Sequence, residues 1–415
     1  MLHIILFCAL FILMLRHYEK TVIVVAVLSC YLTMYKDPFN TVGNLYLTMS
    51  LVAIIMGLQR YGVSRIVKNP FFLCLIPVLL SYTYTMFRTG FYPKQFIYIT
   101  SQYVFPCIFY FALNSKNKVQ LFVKCLSVFA FLAILYSLFE EITSSNPIMH
   151  WCENNMSSFT WLHDRTEHRF GIKRAQSFFA AEAPFGQFCI FAFILLFTMM
   201  SDKMDYLKNG WQKMCVLMLP LFVFMTGTRS IILSFVISIL TLATFSNIKK
   251  YKFLMVVLAL VLVALSGSYF GSIYDSMFVD STEIGGSSSE MREGQWEIAF
   301  YYMSQNFWCG NGIGYTSELL RADEAGLYGA EGMWLPIMMD RGCVGVVATL
   351  LSFLIGLFII IRTKEFLYVW LWISFLVMKT ITTGVGIEPS YYTIPLIVLF
   401  RYNQFYKGKY YKFLN

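Results

Sequence analysis

Apolar runs of roughly membrane-spanning length, separated by short polar or basic breaks, recur along the whole 415-residue chain. They cover residues 2–15, 21–35, 43–59, 70–87, 95–114, 119–139, 176–200, 214–228, 231–247, 253–270, 336–361, 366–384 and 391–404, which predicts 12 or 13 transmembrane helices. A helix needs ~20 apolar residues to cross ~30 Å of hydrocarbon. The runs are continuous rather than alternating with period 2, which excludes a β-barrel. The expected fold class is an all-α polytopic membrane protein. The N-terminus pairs no short apolar core with a small-residue cleavage site, so 1–15 reads as a retained segment.

Basic residues give the orientation. Arg16 and Lys20, Arg60 to Lys68, Lys116 and Lys118, Lys203 to Lys213, Lys249 to Lys252, and Arg362 with Lys364 fall on one side, and the tail 401–412 joins them. By the positive-inside rule that side is the cytoplasm. The organisation expected is N-terminal spans over 1–139, a first outer loop over 140–175 and further spans over 176–270. A large outer loop over 271–335 and C-terminal spans with a basic cytoplasmic tail over 336–415 complete it.

Composition agrees: 58% hydrophobic and 13% charged residues, with a mean hydropathy of +0.62, exclude a soluble globular class. The net charge of +9 needs no nucleic acid to explain it, because the basic residues sit in short inter-helix loops. The ten cysteines show no CxxC or Cys/His ligand spacing. Only Cys152 and Cys309 lie well inside the two long loops, where an oxidising compartment would allow a disulfide.

Arg229 stands between the runs ending at Thr228 and beginning at Ile231. A charge at the bilayer centre costs roughly 2.5–3.5 kcal/mol or more. In Thr226-Gly227-Thr228-Arg229-Ser230, a glycine and two threonine hydroxyls permit a helix break that brings the guanidinium to the outer surface. A fixed cation there suits an anionic headgroup such as a lipid-linked phosphate. The first loop adds His150, His163, His168, Arg165, Arg169, Lys173 and Arg174, read either as an anion-binding cluster or as solvated local pairs. The second loop is acidic and aromatic, with Trp296, Trp308, Tyr301, Tyr302 and Tyr315 against only Arg292 and Arg321 as cations. That mixture suits sugar binding, and equally an acidic outer loop obeying the orientation rule. Its middle, 285–289, is flexible by composition.

Four segments share the outer face: Arg169 to Gly186, Thr226 to Ser230, Arg292-Glu-Gly-Gln-Trp296 followed by Gly310, Gly312 and Gly314, and Glu331 to Gly342 with Asp340 and Arg341. In order, spacing and sidedness they resemble the O-antigen polymerase/ligase family of bacterial envelope glycosyltransferases. The motif resemblance covers roughly 165–345, while 1–140 match only as generic spans. It implies a GT-C-type transferase in the bacterial cytoplasmic (inner) membrane, acting on undecaprenyl-diphosphate-linked oligosaccharides, with a chain-length regulator and a flippase as partners. Family ligases place a histidine eleven residues before the glycine of the closing turn, and here that position is Glu331. The departure points to the polymerase (Wzy-type) branch rather than to the lipid A–core (WaaL-type) ligases.

Arg229 and Arg292 are then the residues expected to hold the diphosphate. Arg169 and Arg174 bind the second lipid-linked chain or complete the clamp. Glu331 is the first choice as base, with Glu182 and Asp340 behind it. Trp296 and the glycines 310, 312 and 314 are expected to contact sugar or diphosphate, the glycines through close amide approach; a plain turn is the other reading of the glycines. No Asp-x-Asp stands in an outer loop, so neither metal nor cofactor is expected. The rival classes are a ligase, a transporter or flippase, and an assembly subunit of a polysaccharide machine.

Overall fold

Helix follows helix through the apolar runs. The structure, a computed structural model, describes residues 2–33, 39, 43–155, 168–169, 172–201, 209–245, 288–321, 332–381 and 390–409. The expected span 253–270, all of 271–287 and Glu331 lie outside them.

The first nine described α-helices are α1 (Leu2–Arg16), α2 (Tyr18–Val27), α3 (Ser29–Leu32), α4 (Leu45–Tyr61), α5 (Val63–Val67), α6 (Leu75–Thr89), α7 (Pro93–Ala112), α8 (Lys116–Thr143) and α9 (Pro147–Asn155). A two-stranded hairpin, β1 (His168–Arg169) with β2 (Ile172–Lys173), precedes α10 (Glu182–Ser201), α11 (Gly210–Met225) and α12 (Arg229–Phe245). Then come α13 (Ser288–Gln305), α14 (Tyr315–Arg321), α15 (Trp334–Ile361), α16 (Phe366–Ile381) and α17 (Ser390–Lys407).

Four described helical segments are long and apolar enough to cross a membrane: Pro70–Thr89, Lys116–Thr143, Glu182–Met200 and Trp334–Ile361. Shorter apolar helices stand beside them, among them Leu45–Tyr61 and Gly210–Met225. The protein is an all-α polytopic membrane protein, its strands amounting to two residues each. Some runs break where the sequence reading kept them whole. The run 21–35 divides at Leu28 into α2 and α3, and the run 70–87 opens with a 3-10 turn, Pro70–Cys74. The run entered at 176 becomes helical only at Glu182, because Ser177 takes a left-handed φ of 53°.

Contacts divide the chain into two units. The first holds Met1–Leu73, Ile97–Phe235 and Glu388–Asn415. Its central helix is α8, packed by α2, α10, α11 and α17. Phe129 of α8 meets the rings of Phe178, Phe179 and Phe188 at 5.4, 6.0 and 5.2 Å. Such tilted and edge-on pairs add to the burial of their large apolar area. Asn44 starts α4 by accepting the Leu47 amide at 2.9 Å, an N-cap bond. Gly57 lets that helix pack closely, since a Cβ there would meet Tyr18 Oη at 2.5 Å and Ile108 Cδ1 at 2.6 Å.

The two ends of α8 differ in chemistry. At its start Lys118 Nζ lies 3.0 Å from Glu19, whose other oxygen has Arg60 at 3.7 Å and Asn114 Nδ2 at 2.9 Å. Three of the basic loops expected on one side of the membrane therefore meet at one end of this unit. Glu140 lies 22 residues beyond Lys118 on the same helix, about 33 Å away at 1.5 Å per residue. That separation is the thickness of a bilayer's hydrocarbon core. Arg401, counted from sequence among the tail cations, is instead buried: its Nε and Nη2 donate to the Tyr110 carbonyl at 3.1 and 2.9 Å, and Nη1 to Gln404 at 2.6 Å.

The second unit holds Cys74–Phe96 and Val236–Ile387. Helices α6, α13, α14 and α16 pack against α15. Gly342 interrupts α15 with φ 62° and ψ −158°, so the helix is two pieces joined at a kink. Gly356 admits the Trp372 ring against the longer piece, and Ser238 and Ser374 share a buried hydrogen bond of 2.6 Å.

Candidate functional site

The expected helix break at 226–228 is present. Helix α11 ends at Met225, Gly227 turns the chain with φ 61°, and Arg229 is the first residue of α12. Thr226 Oγ1 folds back onto the Val223 carbonyl at 2.7 Å, and the Ile232 amide begins the next helix on the Thr228 carbonyl at 3.0 Å.

Arg174 holds this turn from below. Its Nε donates to the Thr226 carbonyl at 3.1 Å and its Nη2 to Thr228 Oγ1 at 3.2 Å. The third arm, Nη1, faces Glu182 Oε1 at 3.2 Å. Both side chains are buried, and the neighbouring Ala175 amide donates to the Met225 carbonyl at 2.8 Å. A helix leaves its last carbonyls without partners, and here one backbone amide and one guanidinium take two of them. Gly186 keeps α10 against the turn, because a Cβ there would meet Ile231 Cγ2 at 2.6 Å. Arg174 and Glu182 thus support the segment that carries Arg229. Arg169 lies in β1, opposite Ile172.

The sequence reading missed Glu140, placed at the beginning of a loop but found on α8. Its carboxylate is 1% exposed and accepts the Ser177 amide at 2.7 Å and the Gln176 amide at 3.3 Å. Asn146 Nδ2 donates to it at 3.3 Å, and Lys173 Nζ stands 3.7 Å away. Asn146 also donates to the Ser177 carbonyl at 2.7 Å, so the turn before α10 is pinned from both sides. The available signal was the carboxylate pair Glu140-Glu141 closing an apolar run, with two cations at 173 and 174 for it to meet.

In the second unit, α13 carries half-buried Arg292 and exposed Trp296. Its buried side, with Ala299, packs on Leu319, Leu335 and Met339. The glycine-rich turn that follows is docked on the kink of α15. The Asn311 and Gly312 amides donate to the Met339 and Asp340 carbonyls at 2.9 and 3.1 Å, and the Cys343 amide returns to the Phe307 carbonyl at 2.8 Å. A Cβ on Gly342 would sit 2.5 Å from the Phe307 oxygen, and one on Gly310 would strike the backbone of Asp340 and Arg341. The close approach that these glycines allow is therefore to α15. The Gly310 amide is spent on the Asn306 carbonyl at 2.8 Å, the Gly312 amide as above, and the Gly314 amide on Asp340 Oδ2 at 3.1 Å.

Asp340 and Arg341 are sent in different directions by the kink. Asp340 caps α14 by accepting the Thr316 amide at 2.8 Å and the Thr316 hydroxyl at 2.6 Å, besides Gly314. Arg341 is 4% exposed, donates to Ser81 Oγ at 3.2 Å and Thr349 Oγ1 at 3.4 Å, and lies 4.5 Å over the Tyr82 ring. Hydroxyls and an aromatic face spread a guanidinium's charge in an apolar setting. Thr85 ties α6 to the same turn, donating to the Cys309 carbonyl at 3.0 Å.

Cys152 and Cys309 are both free and buried. Outside the spans, burial pushes the Cys152 thiol from 9.0 up to about 11, with the neighbouring Glu153 adding to the shift. Among the described residues no group of three His, Cys, Asp or Glu side chains gathers as a metal site.

Residues 214–350 match the family model of the O-antigen ligase domain (Wzy_C), about a third of the chain. No curated protein matches the sequence. The matched segment contains the turn at 226–228, Arg229, Arg292, the docked glycines and the kink at Gly342. Similarity to this family supports a polysaccharide-related membrane function with lipid-linked glycan substrates. The likeness of this chain to the O-antigen polymerase/ligase family rests on this segment.

Proposed function

We propose that the protein polymerises undecaprenyl-diphosphate-linked oligosaccharide repeat units into O-antigen, capsular or exopolysaccharide at the outer face of the cytoplasmic membrane. The carrying observation is Arg229 at the head of α12, behind a turn held by the buried Arg174–Glu182 pair, inside the segment similar to O-antigen ligases.

In this reading an acceptor hydroxyl attacks the anomeric carbon of the donor's reducing-end sugar. The bond from that carbon to the diphosphate oxygen breaks, and undecaprenyl diphosphate leaves with the electron pair. Arg229 and Arg292 stabilise the charge gathering on the leaving group, since guanidinium stays protonated and its fork matches phosphate oxygens. The N-terminus of α12 adds a partial positive charge beside Arg229. The hydroxyl proton goes to Glu331, because Glu182 is committed to Arg174 and Asp340 to the amides of α14. Arg169 serves the second lipid-linked chain, while Arg174 keeps the shape of the turn. No step requires a divalent metal, so chelation leaves the activity intact. A chain-length regulator and a flippase work beside the enzyme.

A ligase is the second reading, favoured by the description of the matching family and disfavoured by Glu331 at the family's histidine position. Complementation of the native host lacking the gene separates them, using wild type, Arg229→Ala, Arg229→Lys and Arg292→Ala and reading surface polysaccharide on a gel. A polymerase variant loses the high-mass ladder but keeps single repeat units on the anchor. A ligase variant loses all anchored glycan and accumulates lipid-linked polymer. An unchanged ladder in well-expressed variants overturns the catalytic reading in favour of transport or assembly.

A further inference from the structure

The outward face of α13 is neither packed nor uniformly polar. Trp296, Phe300 and Tyr301 are 38%, 52% and 62% exposed, and the rings of Trp296 and Phe300 sit 5.8 Å apart. Glu293 and Glu297 are exposed on the same face, one turn apart. The opposite face is anchored through Ala299, Ile298 and Tyr302 to Leu319, Leu335 and Met339, so the aromatic side stands on a fixed support.

Its height above the membrane follows from the kink. From Gly342 to the end of α15 at Ile361 there are 19 helical residues, about 28 Å of helix, one hydrocarbon thickness. A span counted from the kink to Ile361 would therefore just cross the hydrocarbon, with the kink at its outer surface. Phe307 and Trp308, whose carbonyls accept the Cys343 and Val344 amides at 2.8 and 3.3 Å, lie at that level as interfacial aromatics. Ala299 packs three to seven residues above Gly342, on Met339 and Leu335, and Trp296 stands a further turn along α13. Two acidic side chains among the rings also disfavour insertion into lipid. On that count the face looks into water beside the membrane.

We infer that this face is a docking platform for the glycan, taking neutral sugar residues of a lipid-linked chain; the inference rests on the function proposed above. Flat aromatic rings cover the C–H faces of pyranoses, and the two carboxylates accept hydrogen bonds from sugar hydroxyls while repelling uronic acids and phosphorylated sugars. Trp296 and Phe300 supply the stacking surface, Tyr301 extends it, and Glu293 and Glu297 select against negative charge.

The test uses the full chain in lipid nanodiscs and the repeat-unit oligosaccharide released from the host's own surface polysaccharide, with oligogalacturonate as the charged control. Binding is read by saturation transfer to the sugar protons. Wild type is expected to bind the repeat unit and not the uronate, Trp296→Ala to bind about tenfold more weakly, and Trp296→Phe to recover most of the affinity. Glu293→Gln with Glu297→Gln is expected to admit the uronate. Unchanged affinity in Trp296→Ala, no binding by wild type, or quenching of Trp296 by brominated lipid tails overturns the platform, the last placing the face in the bilayer. If the platform fails while Arg229→Ala still abolishes the ladder, only this inference falls. If the oligosaccharide binds through Trp296 while the arginine variants keep the ladder, the proposed polymerase falls instead.

Discussion

Arg174 Nε lies 3.1 Å from the carbonyl oxygen of Thr226, 52 residues further along the chain, while the same guanidinium faces Glu182 at 3.2 Å. One buried side chain thus closes the end of α11, holds the turn before Arg229 and answers the nearby carboxylate.

Removing one partner of this pair is expected to be costly, because the other is left buried and charged. Arg174→Ala or Glu182→Ala should each destabilise by about 3–5 kcal/mol. The double variant should cost less than the two single changes together. Thermal unfolding of purified protein in detergent, arranged as a double-mutant cycle, measures this coupling. Additive losses would mean that the pair is not coupled.

Asp340 separates a structural carboxylate from a catalytic one. Asp340→Asn keeps an acceptor for Thr316 but turns one side of the group into a donor facing the Gly314 amide, so a modest loss of stability and a retained ladder are expected. Asp340→Ala should destabilise more, since each buried donor left unpaired costs ~1–3 kcal/mol. An Asn variant that folds as wild type but makes no polymer would restore Asp340 as the base.

The glycines of the docked turn should not be equivalent. Gly342→Ala places a methyl 2.5 Å from the Phe307 oxygen at a φ of 62°, and Gly310→Ala meets the backbone of Asp340 and Arg341. Both are expected to prevent accumulation of folded protein. Gly314 has a φ of 91° but open space around it, so Gly314→Ala carries only the backbone strain, about 1–2 kcal/mol. Gel filtration of the three variants in detergent shows whether this order holds.

What the sequence showed depends on how local the cause is. The break at 226–228 is legible because a glycine between two threonines interrupts a 3.6-residue pattern, and the spans are legible from run length alone. The role of Glu140 is not, since its amide partners lie 36 and 37 residues away and leave no trace in periodicity. The same holds for Arg341, adjacent to Asp340 in sequence but bonded to Ser81, 260 residues earlier. Arg174 was legible as a membrane-proximal cation, while its service to the Thr226 carbonyl required the fold. For the glycines at 310, 312 and 314 the sequence leaves ligand contact and a plain turn both open, and the uptake of their amides within the protein favours the turn.

The Cys152 thiol gives a pH signature. Its folded value of about 11 exceeds 9.0, so the neutral thiol is the form that the fold favours. The stability it contributes is complete below pH ~9 and is lost as pH rises towards ~11. At pH 8 a maleimide should label Cys152 slowly in the native protein and quickly in denaturant. Equal rates in both states would show the thiol to be accessible.

The 19 residues between the kink at Gly342 and the end of α15 act as a ruler laid against the lipid. A thicker bilayer would tilt this segment less or draw the kink inwards, and a thinner one would tilt it more, each at a modest cost per ångström of mismatch. Every group docked on the kink rides with it. For the polymerase proposed above, lipid acyl-chain length then becomes a variable of the reaction, through the distance between the outer helix and the phosphates of its substrates.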